Sequence, residues 1–516
     1  MTPRSVRLLR GFATVGGWTM ASRIVGFVRD IAIAAFLGAG PVAEAFFVAF
    51  RLPNMFRRFF AEGAFNLAFI PLFAKRLEGE GAEEARRFAE ESAAALLAAL
   101  IALTVLAQLA MPWFVLALAS GFGADGKLDL AVAFSRVVFP YILFISLAAL
   151  FSGVLNAFGR FAAAAAAPVL LNVILVAAMG VGAALDWDMG WTLAWAVFAA
   201  GLAQLALVGH AARGLGMTLR LRRPRLTPGV RRLITLGIPA ALAGGVMQIN
   251  LVVGTQVASY FDGAVSWLWY ADRLYQLPLG VVGVAIGVVL LPDLSRRVRA
   301  GDAGGAAHTL NRAAEFCLVL TLPAAVALVA VPNLLTAGLF ERGAFDAADT
   351  AATAAALAVY AVGLPAFVLQ KVLQPAYFSR EDTATPLRFA TVSMLVNLVV
   401  AVGGAPLIGY LAAAIGTTAA AWVNLALLWR GVRRMGGELA IDARLAQRVP
   451  RMALASLAMG ALVLGIAELH AAHMPGQQVM GLVIVVAAGA ASYAILAGAL
   501  GAVRLADLRS AVSRGA

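Results

Sequence analysis

Fourteen times along this chain, apolar residues run for about 20 positions or more, the length a helix needs to cross the hydrocarbon core of a bilayer. The runs lie at 11–38, 43–74, 92–120, 130–157, 162–184, 191–212, 233–260, 264–294, 313–336, 350–378, 387–408, 409–429, 452–470 and 478–503. No water is present at that depth to satisfy backbone N–H and C=O groups, so each run must close its own hydrogen bonds as a helix. The expected fold class is therefore an all-α integral membrane protein. Composition agrees: 13% of the 516 residues are charged and 62% apolar, against about 25% charged in a soluble protein. That excludes a soluble multidomain enzyme.

Other chemistries fall away quickly. One cysteine, Cys317, rules out a disulfide framework or thiolate zinc site, and the four histidines never fall at metal-ligand spacing. No GxxxxGK[ST] phosphate loop is present. Arg23 and Arg29 interrupt the first apolar run, so it reads as a retained span and not as a cleaved signal peptide.

Basic residues collect on the cytoplasmic side of membrane proteins. With the N-terminus and its Arg4, Arg7 and Arg10 inside, the even-numbered connections and the C-terminal tail hold the rest of an inner set of 30 of the 40 basic residues, against two outside, Lys127 and Arg342. A miscounted span would scramble this alternation. Fourteen spans with both termini cytoplasmic follow, and the formal charge of +13 sets topology without implying a nucleic-acid partner.

The longest basic connection follows six spans and reads as a linker between halves. Ala49-Phe50-Arg51-Leu52 recurs as Ala271-Asp272-Arg273-Leu274, and Ile70-Pro71-Leu72 as Leu291-Pro292-Asp293, each about 222 residues later. An even number of spans gives both halves one orientation, as in parallel transporter repeats. The expected organisation is an N-terminal lobe over 1–215, a basic linker over 216–232, a second six-helix lobe over 233–434, and two further helices with a tail over 435–516.

Eight basic residues remain within spans: Arg23, Arg29, Arg51, Arg57, Arg58, Arg136, Arg273 and Lys371. A charge at the bilayer centre costs at least ~2.5 kcal/mol on insertion scales, so each must face a cavity, a partner or a boundary. The acids at comparable depth, Asp30, Glu44, Glu62 and Asp272, are fewer, so a water-filled interior would be electropositive and favour an anion. By helical rise, Arg29, Arg57 and Arg273 reach one level from three helices, with Arg23 roughly 9 Å deeper. Guanidinium groups stay charged at any physiological pH and bind phosphate oxygens through paired bonds.

Simpler roles compete. Arg58 and Glu62, one turn apart, neutralise each other. Asp30 shares a face with Arg23, seven residues away, and is its expected counter-ion. Asp272 faces another way than Arg273 and is expected to pair across helices or with water. Arg136 and Lys371 snorkel from near span ends. Pro53 bends a long second span, and Gly26, Gly280, Gly283 and Gly287 permit close approach or bending.

The stretch Ser22-Arg23-Ile24-Val25-Gly26-Phe27-Val28-Arg29-Asp30, with Arg51-Leu52-Pro53-Asn54, Arg57-Arg58-Phe59-Phe60-Ala61-Glu62-Gly63 and Trp267-Leu268-Trp269-Tyr270-Ala271-Asp272-Arg273, resembles the MurJ (MviN) family of bacterial lipid II flippases. The resemblance implies the multidrug, oligosaccharidyl-lipid and polysaccharide exporter superfamily. It further implies two six-helix lobes around a cationic cavity and two last helices forming a groove for an undecaprenyl tail. The implied substrate is lipid II, the undecaprenyl-pyrophosphate carrier of MurNAc-pentapeptide-GlcNAc, and the implied location is the inner membrane, among membrane lipids and cell-wall synthesis proteins. By motif the family's essential arginines fall on Arg23, Arg29, Arg57 and Arg273, and its acidic residue of the second helix on Glu44, where relatives often have Asp.

No cofactor is implied, and no metal ligand set; coupling to membrane potential or to a monovalent ion stays open, since the family's sodium site has no counterpart assigned here. The expected mechanism is alternating access, with closure permitted when an anionic head neutralises the arginines. The alternatives are an exporter of another polyprenyl-linked glycan or a cation-coupled drug exporter, the latter calling for surplus acidic groups. A membrane transferase would need a cytoplasmic acidic metal site; the adjacent pairs Glu83-Glu84 and Glu381-Asp382 both stand among arginines.

Overall fold

Apolar periodicity and acidic caps together decide where helices begin. Asp188, Asp302, Asp346 and Asp442 each stand at an N-cap and accept a backbone N–H from the first turn, which satisfies one of the donors that a helix start leaves open. Thr227 does the same ahead of Pro228, a residue suited to the first helical position. Helix ends use glycine: Gly38, at φ 63°, takes the left-handed turn after the first helix. The structure, a computed structural model, describes residues 3–57, 64–124, 126–220, 222–435, 441–474 and 476–503. Every regular element among them is helical.

The chain packs into two compact units, Met1–Ser266 and Trp267–Ala516. The first holds α1 (Pro3–Leu37), α2 (Pro41–Arg57), α3 (Ala64–Gly79), α4 (Ala82–Leu109), α5 (Met111–Leu118), α6 (Lys127–Val138), α7 (Tyr141–Ala157), α8 (Ala162–Ala184), α9 (Met189–Arg213) and α10 (Pro228–Ala258). The second holds most of α11 (Ala264–Arg299), then α12 (Ala303–Ala330), α13 (Pro332–Phe340), α14 (Ala347–Phe378), α15 (Ala384–Ile408), α16 (Leu411–Arg434), α17 (Ala443–His473) and α18 (Gln478–Ala499). In the first unit α7 and α8 both pack on α9; in the second α14 and α15 both pack on α16. The same arrangement of fourth, fifth and sixth spans thus occurs in each half.

Ten helical stretches among the described residues are long and apolar enough to cross a membrane: α4, α6 with α7, α8, α9, α12 and α14 to α18. The protein is thus a multi-pass membrane protein. The other four expected spans fall on α1, on α2 with α3, on α10 and on α11, the first and second helices of each half. Three of these four positions carry the membrane-depth charges discussed below.

The basic linker is held down. Buried Glu90 of α4 accepts from the Arg220 N–H at 3.0 Å and from the Arg222 guanidinium, while Glu91 accepts from the Thr227 hydroxyl at 2.8 Å. Beyond it α10 packs on α3, α4 and α5, so by packing the division falls at 266/267, later than the linker marks it in sequence.

At the other end, α17 is locked to α12. Glu315, 6% exposed, accepts from Arg312, Arg444 and Arg448, and the Asp442 N–H donates to Asn311 at 3.1 Å. Burial works to raise the carboxyl pKa of Asp442, but the Leu445 N–H and Arg312 prevail and hold it below the ordinary aspartate value. Asp382, between α14 and α15, is likewise held low by the Thr385 N–H and hydroxyl. Apolar packing of Leu318, Met452, Ala455 and Ala497 continues the α12–α17–α18 contact. The single cysteine, Cys317, is fully buried.

Candidate functional site

Arg29 is 9% exposed, in a helix otherwise built for lipid and protein contact. Its Nε and Nη2 donate to Asp30 Oδ1 at 3.0 and 2.6 Å, and Nη1 donates to Asn172 Oδ1 of α8 at 2.8 Å. The Asn172 amide in turn donates to the Ser22 carbonyl at 3.0 Å. Gly26 makes this closeness feasible, since a Cβ there would stand 3.1 Å from the Asn172 amide nitrogen. The Phe50 ring of α2 lies 6.0 Å from the guanidinium carbon. The expected Asp30–Arg23 pairing is therefore corrected: Asp30 serves Arg29. Seven residues span about 10 Å of helix, too far for a short aspartate, whereas the neighbouring guanidinium folds back onto it.

Arg23 is exposed, and among the described residues it has no ion-pair partner. Arg57, the last residue of α2, is half-buried. Arg51 donates to Thr255 of α10. Helix α2 continues through Pro53 to Arg57; the Asn54 amide donates to the Phe50 carbonyl at 2.7 Å. Arg58 and Glu62 lie outside the described residues.

Glu44, 1% exposed at the start of α2, accepts from Lys127 Nζ at 3.0 Å and from the Val265 N–H at the head of α11 at 3.1 Å. Lys127 also reaches Asp262 at 2.6 Å. One ammonium thus stands between two carboxylates, 5% exposed itself. Sequence reading counts Lys127 only as one of two basic residues in outer connections; its isolation among acidic and apolar residues was the available signal.

In the second unit Arg273 packs over the Trp269 ring at 4.6 Å and donates to Asp272 at 3.2 Å. Asp272 also accepts from Gln276, one turn on. The expectation that Asp272 would not serve its neighbour is thus corrected, again because a long guanidinium bends to the adjacent carboxylate. Trp267, two residues before Trp269, donates its indole N–H to Asp349 of α14 at 2.8 Å, which fixes the rotation of α11 there. Asn172 and Gln276 escaped sequence reading; a lone amide in the Ala-rich run of α8 was visible, but its partner 143 residues away was not.

Two sets of membrane-crossing helices, with arginines held at membrane depth by single acids and amides, define a multi-pass membrane transporter. Solved structures agree on the fold. A lipid II flippase MurJ in an inward closed conformation superposes with a TM-score of 0.77 at 23% identity, covering 94% of this chain and 97% of that one. An inward-facing multidrug resistance MATE family transporter of the MOP superfamily gives 0.66 at 14% identity, over 81% and 95%. In sequence, a probable lipid II flippase MurJ from Rhizobium meliloti (strain 1021) is 46% identical over 99% of this chain and 97% of its own. The family described as "Lipid II flippase MurJ" matches residues 33–484. The chain belongs to the lipid II flippase MurJ family.

Proposed function

We infer that this protein carries lipid II from the cytoplasmic to the periplasmic leaflet of the inner membrane by alternating access through a cationic cavity. It does so with fourteen spans and both termini in the cytoplasm. Family membership supports the substrate, and the basic bias of the even-numbered connections supports the orientation. The observation that carries the mechanism is the different state of each arginine. Arg29 donates through all three guanidinium nitrogens to Asp30 and Asn172, Arg273 is partly engaged with Asp272, and Arg23 is exposed and has no ion-pair partner among the described residues. A pyrophosphate therefore meets Arg23, the exposed one, before Arg29. Arg29 joins by exchanging Asn172 or Asp30 for a phosphate oxygen.

That exchange gives the ligand a differential affinity for the closing state, without which it cannot drive the change. The polyprenyl tail stays in lipid beside α17 and α18. The Glu44–Lys127–Asp262 cluster, with its bond to the Val265 N–H at the head of α11, ties together the starts of α2, α6 and α11.

The test is depletion of the protein in cells with no other flippase, followed by rescue. Lipid II accumulates in the inner leaflet, wild type restores flux, and Arg23→Ala inserts normally but does not restore it. Normal outer-leaflet delivery after depletion would falsify the substrate, and full rescue by Arg23→Ala would remove the arginine from the mechanism.

A further inference from the structure

Where α8 hands over to α9, a groove of about 700 Å³ is lined by Asp186, Trp187, Asp188, Trp191 and Trp195 above an apolar wall that includes Ile174 and Ala178. The three tryptophans are 56%, 38% and 56% exposed, and on α9 the spacing of four puts Trp191 and Trp195 on one face. Trp191 is braced edge-on by Phe134 at 5.1 Å and Trp195 by Phe198 at 5.8 Å. The rings are thus held in place with their other surfaces open.

The indole N–H groups and most carboxylate oxygens of this groove have no partner among the described residues. Trp267 and Trp422 donate their indole N–H groups to protein acceptors; among the described residues Trp187, Trp191 and Trp195 donate theirs to none. Among the described residues Asp186 has no hydrogen-bond or ion-pair partner, and Asp188 accepts from the Trp191 backbone N–H with one oxygen. No lysine or arginine occurs between Arg160 and Arg213. Two carboxylates beside three indoles, with no cation of their own, form a receptor for an ammonium, through charge and through the negative faces of the rings. The indole N–H groups offer donors for a phosphate beside it. Below, the apolar wall suits a hydrocarbon chain.

We propose that this groove binds a phospholipid whose head carries an ammonium, as phosphatidylethanolamine does, in the outer leaflet at the fifth connection. The ammonium sits between Asp186, Asp188 and the indoles, the phosphate takes indole donors, and one acyl chain lies along Ile174 and Ala178. An aromatic belt that only anchors helices at the interface would not distinguish head groups, and that difference is measurable.

The full-length protein in detergent is offered equimolar phosphatidylethanolamine and phosphatidylglycerol of identical chains, and retained lipid is counted by native mass spectrometry. Wild type keeps phosphatidylethanolamine about tenfold over phosphatidylglycerol, a difference of ~1.4 kcal/mol. The double variant Asp186→Asn/Trp187→Ala brings the ratio to within about twofold, with an unchanged thermal transition. Asp186 has φ 53°, a left-handed conformation that asparagine also tolerates, so that substitution keeps the turn. A second arm needs no variant: N-acyl phosphatidylethanolamine, which lacks the ammonium, loses to phosphatidylethanolamine on wild type. Equal retention of the head groups by wild type, or an undiminished preference in the double variant, overturns the proposal.

Discussion

Arg29 engages its guanidinium through three nitrogens, two on Asp30 and one on Asn172. A lysine carries the charge but cannot make that planar set of bonds. Arg29→Lys is therefore expected to lower lipid II flux at least ~10-fold in a leaflet-accessibility assay while insertion is unchanged. Flux near wild type would show that charge alone suffices. Asn172→Ala frees one donor of Arg29 and exposes no new charge, so it should cost about 1 kcal/mol of stability and shift the dependence of flux on lipid II concentration.

Lys127 presents a sharper case, because removing one member of a buried ion pair leaves the other uncompensated, at ~3–5 kcal/mol. Lys127→Met should lower thermal stability in detergent by an amount of that order, and adding Glu44→Gln should recover most of it. A double variant no more stable than the single one would place the loss elsewhere, in packing against Phe122, whose ring lies 5.2 Å from the ammonium.

At the level of elements, α17 owes its position to a few charges at its first turns. The carboxyl pKa of Asp442 is depressed in the folded protein, so its contribution is complete above the ordinary aspartate value near 3.8 and is lost as pH falls through the lower folded value. Hydrogen exchange at the start of α17, taken relative to the intrinsic exchange rate at each pH, should hold steady from about pH 8 to 5 and rise only in stronger acid. Asp442→Asn, which still caps the helix, should flatten that rise; an unchanged acid response would show that Asp442 is not the group responsible.

Ten of the expected spans were legible, because 20-residue apolar runs act through composition alone. The caps were legible too, as Asp188 or Thr227 act within three residues. What sequence did not show were the choices of partner. Asp30 and Asp272 were assigned by helical face, yet the reach of an arginine stem decided both. Asn172, Lys127 and Asp262 matter through contacts that join distant parts of the chain. The four arginines were singled out by depth and motif, but their unequal engagement depends on contacts that only the folded chain makes.

Across the molecule, the lone buried Cys317 leaves added thiols to be read singly. A membrane-impermeant maleimide should label Asp186→Cys in intact spheroplasts and Arg225→Cys only after permeabilisation; the reverse pattern would invert the orientation. Helix α10 bears on assembly of the first unit as the chain is made. It follows the linker in sequence but packs on α3, α4 and α5, so the first unit lacks one of its own walls when its sixth span leaves the ribosome. At ~5–20 residues per second, the interval from Arg213 to Ala258 lasts about 2 to 9 s. During that time the flanks of α3 and α4 face lipid, open to chaperones and membrane proteases, and a chain truncated before Pro228 would remain so permanently.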